Sequence, residues 1–319
     1  MEQSFYRSSH LSPEQLGQLL PKNNATSLQH FILMYSLFIG AGVVVVLTWN
    51  QSWWLALPAL LLFAGSIPAL FACEHECIHQ TAFKNRALNY WAALLTGAGY
   101  GYAPTLFKDF HFAHHQYTHQ PGWDPEISIG RRPIPSVIEK LPSYLAWLTG
   151  LPFILFRTFM LISGAIGMPK FLRQAVFPFV KPEHRGQLMA ESWFILGIHG
   201  AIVYWAVAVN PAFWGLIWGQ LLGSAILASY TAAEHNGLPH EGTILEKTRS
   251  IKSSSFLHWW MWNMPYHAEH HAYPAVPHYA LPTLHQLLEE ELVHKDTSHA
   301  TFHKQVLQDT TIGKLSQSK

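Results

Sequence analysis

Three short stretches carry most of the chemistry this sequence offers. HECIH places His75 and His79 four residues apart; HFAHH places His111, His114 and His115 at i, i+3 and i+4; HAEHH repeats that spacing with His267, His270 and His271. On a helix these intervals fall on one face, so each stretch presents its imidazoles toward a common centre. The chain holds 21 histidines, and at that frequency a random H-x-x-H-H is expected roughly a tenth of a time, so two copies are more than motif noise. With His235, in TAAEHNG, there are nine candidate ligands. Zinc is usually satisfied by four and iron by five or six, so the set suits two metals, and imidazole alone does not choose among Zn, Fe, Cu and Ni.

HECIH also matches H-E-x-x-H, in which two histidines hold zinc and the glutamate, here Glu76, is the general base of a protease. That reading needs a third ligand and leaves the other clustered histidines without a role. Glu76, Glu234, Glu269 and Asp124 flank the boxes, where a carboxylate that accepts from the second ring nitrogen fixes a ligand's tautomer; Asp124 and Glu269 are the favoured pair. His119 sits at i+4 from His115 and reads as a neighbour of the site or a surface group, and the remaining histidines have no box spacing.

The elements that must carry these residues are apolar. The chain is 49% hydrophobic and 12% charged, about half the charge of a soluble domain. No Asp, Glu, Lys or Arg occurs between Lys22 and Glu74 or between Glu191 and Glu234. Each gap is about twice the roughly 20 residues that a spanning helix needs. We therefore expect an all-α membrane protein of four transmembrane helices in two hairpins, at about 31–49, 53–72, 192–209 and 212–231, turning at Asn50–Ser52 and Asn210–Pro211. A helical cap on one side would hold the di-metal site. All Lys and Arg fall on that side, which the positive-inside tendency makes cytoplasmic. The start MEQSFYRSSHLSPEQ is polar, without the apolar core of a cleavable signal. Cys73 and Cys77, the only cysteines, lie where thiols stay reduced. A net charge of +1 with no basic aromatic patch argues against nucleic acid. The chain reads as one domain over 1–319, with its core at about 53–292.

The order H-x-x-x-H, H-x-x-H-H, membrane hairpin, H-x-x-H-H resembles the integral-membrane fatty acid desaturase and hydroxylase superfamily. HECIHQTAF and the short chain are similar to a bacterial branch that includes rhizopine-oxygenase-like proteins. The resemblance covers Trp53 to Leu292. It implies a non-haem di-iron centre, O2 as co-substrate, and removal of hydrogen from an unactivated C–H bond of a fatty acyl lipid or acyl thioester. It also implies the ligands His75, His79, His111, His114, His115, His267, His270 and His271, with His235 as the ninth. An asparagine that reaches iron through water is common in such proteins; Thr231 stands four before His235, leaving Asn236 and Asn263 as alternatives. The same scaffold supports hydroxylation or demethylation of alkanes, carotenoids or other lipids. No His-Pro-Gly-Gly motif of a fused cytochrome b5 occurs, so electrons are expected from a separate ferredoxin or cytochrome b5 type donor and its reductase, which Arg131, Arg132, Lys170, Arg173, Lys181 and Arg185 would attract. A metal transporter would instead place ligands within its spans.

Other stretches have structural readings. GAGYG, Gly97 to Gly101, follows no strand and lacks a Lys-Ser/Thr partner, so it bends or packs the helix WAALLTGAGYGYAPTLF rather than cradling phosphate. YLAWLTGLPFILFRTFMLISGAIG, interrupted by Pro152 and Arg157, lies at the interface. HWWMWNMPYH puts three tryptophans beside the metals, as headgroup anchors or channel walls. LPTLHQLLEEEL is an amphipathic helix with Leu281, Leu284, Leu287, Leu288 and Leu292 on its inner side.

Overall fold

The long uncharged runs fold as the two helical hairpins that their composition requires. A computed structural model describes residues 10–312. The polar first residues on which the absence of a signal was read, and the last seven of the 1–319 domain, lie outside the described residues. The helices are α1 Pro13–Leu19, α2 Asn24–Thr48, α3 Trp53–Ile78, α4 Arg86–Tyr100, α5 Pro104–Tyr117, α6 Leu141–Leu148, α7 Leu151–Ala165 and α8 Lys170–Ala175. They continue as α9 Arg185–Tyr204, α10 Trp214–His235, α11 Ile244–Lys247, α12 Ser255–Trp260, α13 His267–Ala272, α14 Leu281–Leu288 and α15 His299–Ile312. One short antiparallel pair, β1 Ser128–Ile129 with β2 Arg132–Pro133, lies between α5 and α6.

Four helical stretches are long and apolar enough to cross a membrane: Asn24–Thr48, Trp53–Ile78, Pro182–Val209 and Pro211–His235. Each outruns its expected span on the side of the histidines. The apolar window ends where lipid contact ends, but the helix continues because polar residues there find protein partners. At the start of α2 the Asn23 side chain accepts from the backbone N–H of Ala25 and Thr26. Ser27 and His30 on the next turns are buried, and Ser27 Oγ lies 3.1 Å from His278 Nε2. Their outer faces stay apolar; Val43, Leu47, Leu55 and Val207 are each more than half exposed, which is the surface a bilayer covers. The protein is a multi-pass membrane protein.

Small residues let the spans approach closely. Gly215, Gly219 and Gly223 recur every fourth residue of α10, and a Cβ on them would lie 2.5 Å from Val45, 2.5 Å from Phe63 and 2.6 Å from Ile67 respectively. Because that stripe seats α3 against α10, the last turns of both helices end side by side. The GAGYG stretch ends α4 rather than bending one long helix: Gly101 takes φ 88° as C-cap, and α5 restarts at Pro104. The interrupted stretch is likewise two helices, α6 and α7, meeting at 65° about Gly150. The amphipathic α14 buries Leu281, Leu284 and Leu288, with Leu292 beyond its end, but Leu287 is 37% exposed. That corrects the expected inner face, because i+6 lies about 240° around a helix from i.

Candidate metal centre

The box histidines ride on helices of three kinds. His75 is in the last turn of the spanning helix α3 and His79 is its C-cap, with ring centroids 4.8 Å apart. His111, His114 and His115 occupy the end of α5, which Pro104 starts at its first turn and Thr118 closes by donating to the His114 carbonyl. His267, His270 and His271 fill six-residue α13, held between Pro265 and Pro274. His235 is the last residue of α10.

These elements bring all nine rings together in two adjoining groups. His75, His79, His111, His115 and His270 offer one ligand atom each within 4.8 Å of one another, and His114, His235 and His271 form a second such group. His267 joins the second group, its Nε2 2.8 Å from His235 Nε2. In the first, His115 Nε2 lies 2.8 Å from His111 Nε2 and 3.2 Å from His270 Nε2. The groups touch where His115 and His271 stack at 4.1 Å.

The donor set fits metal ions. Burial and neighbouring rings pull His79, His111, His115, His267 and His271 well below the usual imidazole range, and burial pushes His270 down to about 3. The rings are then neutral and keep a lone pair. Each neutral ring carries a single N–H, so rings packed this closely direct lone pairs into the cluster, where a cation can take them. Several buried nitrogens, among them both of His75, Nε2 of His79 and Nε2 of His271, have no hydrogen-bond partner. His114 differs: burial disfavours its charge, but Asp124 and Glu126 beside it more than compensate and raise it to about 9.

The supporting groups are partly those expected. Asp124 is fully buried, and its Oδ1 lies 3.0 Å from His114 Nδ1. Its two oxygens also accept from the backbone N–H of Glu126 and His119, so the carboxylate is fixed. Glu234 Oε1 lies 3.6 Å from His267 Nδ1. His235 Nδ1 donates to the Lys247 carbonyl at 3.1 Å, which leaves Nε2 for the site. Glu76 Oε1 is 3.9 Å from His75 Nδ1, while Oε2 accepts from Thr81 Oγ1 and the His278 N–H.

Two neighbours act elsewhere. Glu269 is bound by Ser250 Oγ and His285 Nδ1, so it anchors the outer side of α13 rather than a box ring. The Asn263 amide donates to the His278 carbonyl, and Asn236 accepts from Ser136, so neither bonds a box histidine. Asn263 thereby braces the loop after α12. His119 is buried and bonded to the Pro239 carbonyl. Thr81, Ser250, His278 and His285 escaped sequence reasoning because their partners are set by tertiary packing and no spacing announces them.

With this geometry in view, comparison with known proteins decides the family. The fatty acid desaturase profile matches residues 51–303. The chain belongs to the fatty acid desaturase family. That family uses non-haem iron, and the histidine cluster of this chain could hold metal ions. It is 22% identical to the Delta(5) fatty acid desaturase of Caenorhabditis elegans over 83% of this chain and 60% of that protein. It is 27% identical to the mouse (Mus musculus) sphingolipid delta(4)-desaturase/C4-monooxygenase, over 75% of this chain and 67% of that one. A fatty acid desaturase of Bacillus subtilis is 23% identical over 89% of this chain and 83% of its own. The chain thus spans less than two thirds of the nematode relative's length.

Proposed function

We propose that the protein catalyses O2-dependent oxidation of an unactivated C–H bond in a membrane lipid, as desaturation of a fatty acyl chain. The observation that carries this reading is the convergence of nine imidazoles, eight of them buried and His79 half-buried, from α3, α5, α10 and α13 in two adjoining groups. His75, His79, His111, His115 and His270 would hold one iron ion; His114, His235, His267 and His271 would hold the other. When bound, the pair supplies O2 activation with two electrons from an external donor. The chain supplies the rest. It fixes the rings through Asp124 and the Lys247 carbonyl, keeps water from the buried nitrogens, and holds an acyl chain that enters from the bilayer.

The cap faces the cytoplasm in this reading, because lysine and arginine concentrate with the histidines, and the resemblance of HECIHQTAF to the bacterial branch would make the membrane a bacterial inner membrane. The donor, a ferredoxin or cytochrome b5 type protein served by its reductase, would meet an open groove of about 200 Å³ lined by Lys108, Phe112, Trp123, Arg131 and Lys181. Phe112 reaches from that groove to 5.2 Å of the His79 ring.

Hydroxylation is the second reading, favoured by the mouse relative, whose name joins desaturase and monooxygenase. Product mass separates them: desaturation removes two hydrogens and hydroxylation adds one oxygen. In cells expressing the chain, lipid profiling is expected to show one of these products and lose it with His111→Ala or His270→Ala, together with bound iron. Product and iron left intact by both substitutions would overturn the proposal.

A further inference from the structure

The box histidines come two or three to an element, whereas His235 stands alone as the last residue of α10. A helix end frays readily, because its last carbonyls find no N–H within the helix. The chain leaves α10 extended at Asn236, with φ −62° and ψ 139°. What it returns to that end is the Leu238 N–H on the His235 carbonyl at 3.2 Å and Asn236 Nδ2 on the Ala232 carbonyl at 3.0 Å. The carbonyls of Ala233, Glu234 and Asn236 are taken by one residue from outside the helix, Arg249. Its backbone N–H donates to Glu234 at 3.1 Å, its Nη1 to Ala233, and Nη1 and Nη2 to Asn236 at 3.4 Å each.

Arg249 is 8% exposed, and the Phe302 ring of α15 covers the guanidinium at 5.3 Å. Among the described residues no ion pair within 4.0 Å involves it. A buried guanidinium without a carboxylate is costly, and what offsets the cost here is the partial negative charge of the α10 C-terminus. The end held in this way carries a ligand. His235 Nδ1 donates to the carbonyl of Lys247, two residues before Arg249, and its Nε2 lies 3.2 Å from His114 Nε2 and 2.8 Å from His267 Nε2. Residues 247–249 thus fix both the backbone and the ring of His235.

We propose that Arg249 is a positioning residue for the metal ion of the second group: it clamps the last turn of α10 and so holds His235 Nε2 toward His114, His267 and His271. This role rests on the two-ion reading of the centre, but the clamp itself is measured without metal. Its selectivity follows from connectivity. The rings of the first group ride on α3, α5 and α13, whereas the side-chain hydrogen bonds of Arg249 go to the end of α10. The backbone bonds from Arg249 to Glu234 and from Ser250 to the His294 carbonyl do not depend on the side chain, so Arg249→Met removes the clamp and leaves the segment in place.

The full chain in detergent, loaded anaerobically with ferrous iron, is titrated with a chelator and its iron per chain is measured; the metal-free chain is followed by amide hydrogen exchange. The wild type is expected to release two ions. Arg249→Met should release one of them at about 10- to 100-fold lower chelator, with the other unchanged. Without metal, the last turn of α10 should exchange about tenfold faster, the worth of one hydrogen bond from a charged group. Arg249→Lys, which keeps a charged donor, should recover part of both, and it carries the same readouts if Arg249→Met does not fold. In a His235→Ala background Arg249→Met should weaken iron binding no further, a non-additivity that a general loss of stability does not give. Two ions held by Arg249→Met as in the wild type overturn the proposal. So does an equal weakening of both ions, or a loss that adds in full to that of His235→Ala, either of which would make Arg249 a general brace of the cap. A wild type that binds no iron would sink the metal-centre reading instead, with hydrogen exchange still deciding the clamp.

Discussion

At the scale of residues, Asp124 shows how one carboxylate orders several parts of the centre. It faces His114 Nδ1 at 3.0 Å and accepts two backbone N–H groups, so it fixes both the ring and the turn after α5. Asp124→Asn removes the charge that favours an Nδ1–H on His114, and loss of such a partner typically weakens metal binding about 10- to 100-fold. Iron remaining after dialysis against graded chelator should fall accordingly; unchanged retention would show that Asp124 only shapes the turn. Glu76 makes the opposite case. Its Oε2 is held by Thr81 and the His278 N–H and its Oε1 lies 3.9 Å from His75 Nδ1, the place of a carboxylate that supports a ring rather than of a base aimed at a substrate. Glu76→Gln should therefore keep iron and measurable lipid oxidation at a cost of about 1 kcal/mol in stability, whereas a protease would lose all activity. The candidate ligands were legible because i, i+3 and i+4 spacing survives any tertiary arrangement. Glu269 was misplaced because sequence adjacency to His270 does not say which side of a short helix faces the metals, and the partner that decides it, His285, is sixteen residues away.

At the scale of elements, the spans were legible from the absence of charge, and their ends were not. Hydropathy reports lipid contact, but α2 continues one to two turns beyond it on the Asn23 cap, and α3 runs on through Glu74, His75 and Glu76, buried against the cap. The glycine stripe of α10 carries the coupling between membrane and site. Gly219 has Phe63 of α3 2.5 Å from where its Cβ would be, and Gly40 on α2 has nothing within 4 Å. Gly219→Leu should separate α3 from α10, move His75 and His79 away from His235, and lower both Tm and bound iron, at a cost of about 1–3 kcal/mol or more from overpacking. Gly40→Leu, on the lipid side, should change neither. If the two variants behave alike in thermal unfolding and iron content, the stripe does not seat the helices.

At the scale of the molecule, the four spans and the shared centre constrain each other. An even number of crossings between the first box and the third is the only arrangement that puts His75 and His270 on one side, and their rings lie 4.4 Å apart. The bent pair α6 and α7 therefore does not add a lone crossing between them. The convergence of rings fixes this relative topology, while the concentration of lysine and arginine beside them argues its absolute sense. Asn50 and Asn210 lie in the hairpin turns and are exposed, Lys304 on α15 is exposed, and the native Cys73 and Cys77 are buried and free. In intact cells a membrane-impermeant maleimide should label Asn50→Cys and Asn210→Cys from outside, and should reach Lys304→Cys only after lysis. Labelling of Lys304→Cys alone in intact cells would invert the orientation and put the metal centre outside. Labelling of Asn50→Cys and Lys304→Cys from the same side would break the hairpin arrangement itself, and with it the argument that lets residues almost two hundred positions apart share one metal centre.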